Sequence, residues 1–277
     1  MYFAIDTPNF GDYSDPRLLA ELAREAENAG WDGFFLWDHI GSDWSFPVAD
    51  PWIALSAMAM TTERIKLGPL VTPIPRRRPW KLAREAVTLD HLSGGRLILG
   101  VGIGMDSERE YSCFGESSDD KLHGAMLDEG LDVLMGLWSG EPFSYKGEHY
   151  QIHEARFLPK PVQVPRIPIW VAGAWPNKRP FRRAALWDGV VPMSVSMEDT
   201  LTPDQIRSIV AYIQEHRKSS EPFDVVFFSA ERFEGDQQAE QLSAYAEVGV
   251  TWWLDCSCWN QSLAEMREYI HQGPPHY

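Results

Sequence analysis

The sequence predicts an α/β protein, a closed (β/α)8 barrel (TIM barrel) with an insertion between its fourth and fifth strands. Three observations carry that prediction. Short apolar runs alternate with helical patterns from one end of the chain to the other. The runs are continuous rather than alternating, as expected for parallel strands covered by helices. Eight such units follow one another without an interdomain linker, which fits closure better than an open doubly wound sheet. The chain has 277 residues, and about 250 suffice for one barrel. The whole chain, 1–277, is therefore expected to form a single domain.

In order, the strand candidates are Tyr2–Asp6, Gly33–Asp38, Ile65–Val71, Arg96–Gly102, Pro168–Ala172, Gly189–Met193, Asp224–Ser229 and Thr251–Asp255. The helices between them carry recognisable start signals. Asp15-Pro16 and Asp50-Pro51 each place a capping residue before a proline at the first helical position. Thr202-Pro203-Asp204-Gln205 does the same and adds the Gln of a capping box. Leu18, Leu22, Ala26 and Ala29 share one face of the first helix, and Gly30 can end it. Between strands four and five lie a long helix, about Asp120–Trp138, and a segment of about 140–167. That segment contains Tyr145-Lys146-Gly147-Glu148-His149-Tyr150, which has hairpin-like turn chemistry. It is expected to lean over the mouth of the barrel.

Composition narrows the function. Hydrophobic residues make up 44% of the chain, enough for a full core, and the formal net charge is −15. Such acidity argues against nucleic acid and against an anionic membrane surface, since both need clustered Lys and Arg. Arg76-Arg77-Arg78 is the one dense basic run; it either binds an anionic tail or is a solvated loop. The longest apolar runs, such as Ile53 to Met60, fall short of the roughly 20 residues of a membrane span. The start of the chain lacks the marks of a signal peptide. With three cysteines, Cys113, Cys256 and Cys258, a reduced cytoplasmic setting is the simpler expectation. No metal site is expected. Cys256-x-Cys258 has neither the usual spacing nor a second pair, and strand one offers Asp6 where metal hydrolases of this fold want His-x-His.

In this fold chemistry sits at the C-terminal ends of the strands. Strand two ends in Trp37-Asp38-His39. His39 is the strongest candidate, because imidazole can exchange a proton near neutral pH; the alternative is a hydrogen-bonded structural histidine. Asp38 points the other way along the strand and need not be its partner. Gly102-x-Gly104 ends strand four and would let backbone approach a planar ligand, although glycines also simply end strands. Gly173-Ala174-Trp175 ends strand five ahead of a helix, where free N–H groups could hold a phosphate; plain turn chemistry is the alternative. The rings of Trp37, Trp44 and Trp175 could stack on a flat ligand or simply fill core.

The run Gly68-Pro69-Leu70-Val71-Thr72-Pro73-Ile74-Pro75-Arg76-Arg77-Arg78-Pro79-Trp80-Lys81-Leu82-Ala83-Arg84-Glu85, followed by Asp90-His91-Leu92-Ser93-Gly94-Gly95-Arg96 through Gly104, resembles the luciferase-like flavin-dependent oxidoreductases. Glu110 with Phe114-Gly115, and Ala172-Gly173 followed by Arg182-Arg183-Ala184-Ala185 and Asp188-Gly189, match the same pattern. The resemblance covers roughly residues 1–193. That family includes bacterial luciferase, alkanesulfonate monooxygenase and deazaflavin-dependent dehydrogenases and reductases. It implies a cofactor, FMN or the deazaflavin coenzyme F420, with its ring at the barrel mouth and a small organic substrate. His39 would be the catalytic residue. Asp38, Trp44, Pro69, Leu70, Gly102, Gly104, Gly173, Ala174 and Trp175 would line the cofactor. A non-prolyl cis peptide is implied at Pro69-Leu70, and dimers common in the family make a homodimer the implied assembly. One departure stands out: sugar-phosphate dehydrogenases of the deazaflavin branch carry a glutamate where this chain has Met105. Two rival readings remain. One is a glycoside hydrolase using Asp106 and Glu231 as a carboxylate pair; the other is a flavin-binding barrel without turnover.

Overall fold

The computed structural model describes every residue except 42, 197–198, 230–234, 257–260 and 276–277. Glu231 and Cys258 therefore lie outside the described residues. The first half of the chain runs β1 (Tyr2–Thr7), α1 (Pro16–Ala29), β2 (Gly33–Leu36), α2 (Pro51–Thr61), β3 (Lys66–Pro69), β4 (Thr72–Pro73), α3 (Pro79–Ser93), β5 (Leu99–Gly102) and α4 (Asp120–Trp138). Next come β6 (Phe143–Lys146), β7 (Gln151–Ala155), β8 (Ile169–Trp175), α5 (Lys178–Ala184), β9 (Gly189–Ser194) and α6 (Pro203–His216). The chain continues through β10 (Asp224–Ser229), α7 (Gly235–Glu247), β11 (Trp252–Asp255) and α8 (Leu263–Gln272).

Nine strands form one sheet in the order β3-β2-β1-β11-β10-β9-β8-β5-β4, and every pairing in it is parallel. Its two ends meet. Leu67 bridges Leu97 in parallel, with Ile98 N–H donating to the Leu67 carbonyl at 2.9 Å, so the sheet curls into a barrel. The expected third strand is broken into β3 and β4. The bend falls between them, at a cis peptide joining Leu70 and Val71. The expectation of Pro69-Leu70 was thus one bond early, because Pro69 still completes β3 by pairing with Leu36.

The predicted caps are in place. Asp15 accepts from the Arg17 amide and Asp50 from the Ile53 amide, each ahead of a proline. Thr202 and Gln205 close a capping box, and Gly30 ends α1 with φ 95°. Core side chains form two layers. Most lie between sheet and helices; a smaller set, with Phe35, Trp170, Val191 and Trp252, plugs the barrel itself. Large and small residues alternate in that plug. A Cβ on Gly33 would lie 2.7 Å from the Phe35 ring, and one on Gly189 would lie 2.4 Å from Trp170.

The insertion forms an antiparallel β6–β7 hairpin, as its turn chemistry suggested. It is fastened along α4. The Glu129 carboxylate, midway along that helix, accepts from the backbone N–H groups of Glu148, His149 and Tyr150 at 2.6, 2.9 and 3.0 Å. At the hairpin's start the Phe143 ring rests on Gly136, where a Cβ would lie 2.1 Å away. No helix among the described residues is long and apolar enough to cross a membrane.

Candidate active site

The functional constellation grows from the end of β2. Past Leu36 the chain leaves the sheet, and Asp38 and His39 diverge as strand geometry demands. Asp38 turns into the protein. Its fully buried carboxylate accepts from Thr72 Oγ1 at 2.6 Å, Arg76 Nη2 at 2.7 Å, and Arg77 Nη2 at 2.8 and 2.7 Å. Burial alone would push this carboxyl up, but the Arg77 and Arg76 charges and the Thr72 hydroxyl outweigh it and hold it below the usual carboxylate range. These internal donors make Asp38 the anchor of the arginine loop.

His39 turns the other way and keeps 26% of its side chain exposed. Its Nδ1 lies 3.0 Å from Oε2 of Glu110, whose side chain is only 4% exposed. The same carboxylate accepts from Arg76 Nη1 at 2.7 Å and from the Ile40 and Gly41 amides at 2.6 and 2.9 Å. Burial opposes ionisation of Glu110. The His39 hydrogen bond, the Arg76 charge and the Ile40 amide prevail, and lower its pKa to about 2. Asn9 secures the backbone from behind: its amide donates to the His39 and Ala49 carbonyls, both at 2.7 Å. The His39 imidazole is thereby fixed at one nitrogen, while its Nε2 makes no hydrogen bond among the described residues.

Aromatic rings surround it. Trp44 lies 5.3 Å and Phe10 5.6 Å from the His39 ring, centroid to centroid, and Phe10 stacks on Phe46 at 5.1 Å. Beneath them, Trp37 Nε1 donates to the buried Asp6 carboxyl at 2.7 Å. Burial pushes the Asp6 pKa well above the ordinary range, against the smaller effect of that hydrogen bond.

The glycines of β5 serve the bend in the third strand. A Cβ on Gly100 would lie 2.4 Å from the Pro69 carbonyl oxygen, and one on Gly102 2.9 Å from Val71. They make room for residues 69–71 inside the barrel, next to the half-exposed Ala172 and Ala174. Gly104 has φ 73° and abuts Tyr111, whose hydroxyl donates to the Ile103 carbonyl at 2.7 Å. Gly173 and Ala174 are not the expected turn. They belong to β8, paired with Pro192 and Met193 of β9, and Gly173 clears space for Pro180 and Phe181 of α5. The turn comes later, at the cis Trp175–Pro176 bond, where Lys178 Nζ sits 4.1 Å from the Trp175 ring centroid.

The arginine run matches neither of its two expected fates in full. Arg76 and Arg77 are spent on internal carboxylates, and only Arg78 is exposed. Asp106, proposed for a carboxylate pair, accepts from the Tyr111 and Ser112 amides and so ties its own loop. Sequence reasoning marked Glu110 only as part of a pattern. Its partnership with His39 spans 71 residues, and no local spacing reveals it. No group of His, Cys, Asp and Glu among the described residues could hold a metal ion.

A parallel barrel with an imidazole held by a buried carboxylate at the C-terminal ends of its strands defines a class: α/β-barrel proteins with a candidate site at the mouth. The chain belongs to the luciferase-like monooxygenase family, whose model matches residues 3–272. An F420-dependent glucose-6-phosphate dehydrogenase from Amycolatopsis mediterranei is 28% identical over 94% of this chain and 87% of its own length. The oxygenase component of a flavin-dependent trigonelline monooxygenase from Acinetobacter baylyi is 30% identical over 59% of this chain and 44% of its own length. The chain spans about half the length of several curated relatives it matches. The coenzyme F420 dependent tetrahydromethanopterin reductase from Methanopyrus kandleri shares the fold, with a TM-score of 0.78 at 18% identity over 98% of this chain and 97% of its own.

Proposed function

We propose that this protein is an oxidoreductase that works with FMN or the deazaflavin coenzyme F420 on a small organic substrate at the barrel mouth. The observation that carries this reading is the His39–Glu110 pair. The buried carboxylate, held ionised by Arg76, fixes one imidazole nitrogen and leaves the other for a reacting group. Family membership supports the same reading, and so do F420-dependent and flavin-dependent relatives. It displaces the glycosidase alternative, whose Asp106 is already occupied.

The residues present fit a flat tricyclic ring. Leu70 and Val71 push into the barrel where Gly100 and Gly102 leave space, and Ala172 and Ala174 extend a surface without bulky side chains. Trp44 would flank the ring, and the Trp175–Lys178 turn carries the positive charge suited to a phosphate. When bound, the cofactor supplies the hydride chemistry, and FMN would add dioxygen activation. His39 moves the proton that accompanies that transfer, at Nε2. Glu110 and Arg76 hold the imidazole in place, and Phe10, Trp44 and Phe46 exclude water from it.

Replacing His39 with Ala should lower turnover by about 100-fold or more while leaving cofactor affinity unchanged. Turnover equal to wild type would end the assignment. Titration of FMN and F420 in parallel, read by tryptophan fluorescence, decides between the cofactors; retained cofactor with no turnover of any reductant would leave only the non-catalytic barrel. We also propose one domain over residues 1–277, a cytoplasmic setting and a homodimer, the last measurable by light scattering on a sizing column.

A further inference from the structure

A cavity of about 280 Å3 lies between the loop after β4 and the first turns of α4. Arg76, Arg78, Glu116, Ser117, Met126 and Tyr150 are among its walls, whereas His39, Trp44, Gly104 and Trp175 are not. Three of its lining residues carry buried polar atoms without a hydrogen-bond partner: Arg76 Nε, Arg77 Nε and the Tyr150 hydroxyl. The Arg76 and Tyr150 side chains are deeply buried, at 5% and 4% exposure. Buried donors of this kind are nearly always satisfied in folded proteins, by protein, by water or by a ligand. Arg78, at the N-terminal edge of α3, adds a further donor and forms no ion pair among the described residues.

We propose that this cavity binds a small oxyanion, a carboxylate or phosphate carried on a short apolar body. The donors are Arg76 Nε–H, the Tyr150 hydroxyl and the Arg78 guanidinium, while Pro75, Leu122 and Met126 face the apolar part. Tyr150 remains a donor at any ordinary pH. Burial pushes it up to about 12, with Arg78 opposing and Glu129 and Glu116 reinforcing. Glu116 is the one opposing charge in the wall, since the other two arginines are balanced by Asp38 and Glu110. A cation would prefer Glu116 but would leave all three donors facing it, which is why the anion is favoured. The site does not include His39 but shares Arg76 with its network. Arg76 reaches Glu110 and Asp38 with its two terminal nitrogens, and its buried Nε is left without a partner in the cavity wall. Two sources share this chemistry: a free small carboxylate or phosphate, and the anionic tail of the cofactor itself.

Titration calorimetry on the full chain, without cofactor, with inorganic phosphate and with glutarate as probes, tests the site. Saturable binding of at least one probe is expected. Arg78→Ala and Tyr150→Phe should each weaken it about tenfold, the worth of one hydrogen bond to a charged group, and Glu116→Gln should tighten it. Arg78 is exposed and Phe keeps the ring of residue 150, so melting curves should match wild type and separate lost binding from lost fold. Cofactor titration of Arg78→Ala then identifies the source: a matching loss of FMN or F420 affinity assigns the oxyanion to the cofactor tail, and unchanged cofactor affinity assigns it to a separate molecule. Absence of saturable binding by both probes, probe affinities unmoved by the Arg78 and Tyr150 substitutions, or weakening by Glu116→Gln would overturn the proposal.

Discussion

Glu110 and Asp6 are both buried carboxyls near the mouth, and their surroundings drive them in opposite directions. Glu110 meets an arginine, an imidazole and two amides, and is ionised at every ordinary pH. Removing its charge while keeping its shape, as in Glu110→Gln, should lower kcat roughly 100-fold, as expected when a general acid–base is no longer held. It should also cost about 3 kcal/mol of stability, because Arg76 loses one of its two buried carboxylate partners. Cofactor affinity, measured by fluorescence, should not move. Asp6 accepts a hydrogen bond from Trp37, and burial, the larger effect, raises its pKa. A raised folded-state pKa means stability that is complete below the unfolded value, about 3.9, and falls as pH rises toward the folded value. Asp6→Asn should remove that fall, so the variant should gain on wild type in urea melts at pH 8 and much less at pH 5. An unchanged difference between the two pH values would show that Asp6 is ionised when folded. His39 could be found from sequence because strand ends are where this fold places chemistry. Glu110, Arg76 and Thr72 could not be assigned roles, because their partnerships are tertiary and run through loops without period.

At the scale of elements, sequence legibility followed periodicity and capping. The helix expected over Asp120–Trp138 has those bounds, and the strand expected over Asp224–Ser229 does too. Proline and aspartate pairs mark helix starts through local hydrogen bonds, which need nothing from the rest of the fold. The third strand was read as continuous because its residues are apolar throughout; the break after Pro69 depends on the space that Gly100 and Gly102 leave on the neighbouring strand. The hairpin was legible from its turn, but its resting place was not, since that is set by Glu129 on another element. Within the barrel plug, Gly33→Ala would drive a methyl to 2.7 Å from Phe35 and 2.9 Å from the Ala4 Cβ. Such overpacking costs about 1–3 kcal/mol, which a denaturant midpoint would register without a change in slope.

For the whole molecule, the acidic surface and the buried network combine in the response to acid. Asp38, Glu110 and Glu27 all have lowered values; Glu27, against burial, accepts from the amides of residues 63–65. Lowered folded-state values contribute stability that is present above the unfolded carboxyl range, about 4 to 4.5, and is lost as pH falls through the folded values. The chain should therefore hold its stability down to about pH 5 and lose it steeply between there and about pH 2, the value reached for Glu110. Circular dichroism across that range checks this, and a protein equally stable at pH 2.5 and 6 would contradict it.

The divided third strand has a mechanical consequence. On most of its circumference the barrel is laced by runs of up to six consecutive register pairs, as between β8 and β9. Between the two halves of strand three and β5 the lacing is Leu67 with Leu97, then Thr72 with Val101 and Pro73 with Gly102, and residues 68–71 pass unlaced. The wall thus has a slit in its lacing, stitched at both ends and closed in the middle by packing alone, and it lies beside the proposed seat of the cofactor ring. A ring of this kind can yield locally at that slit when a ligand wedges in, while the rest of the hoop stays taut.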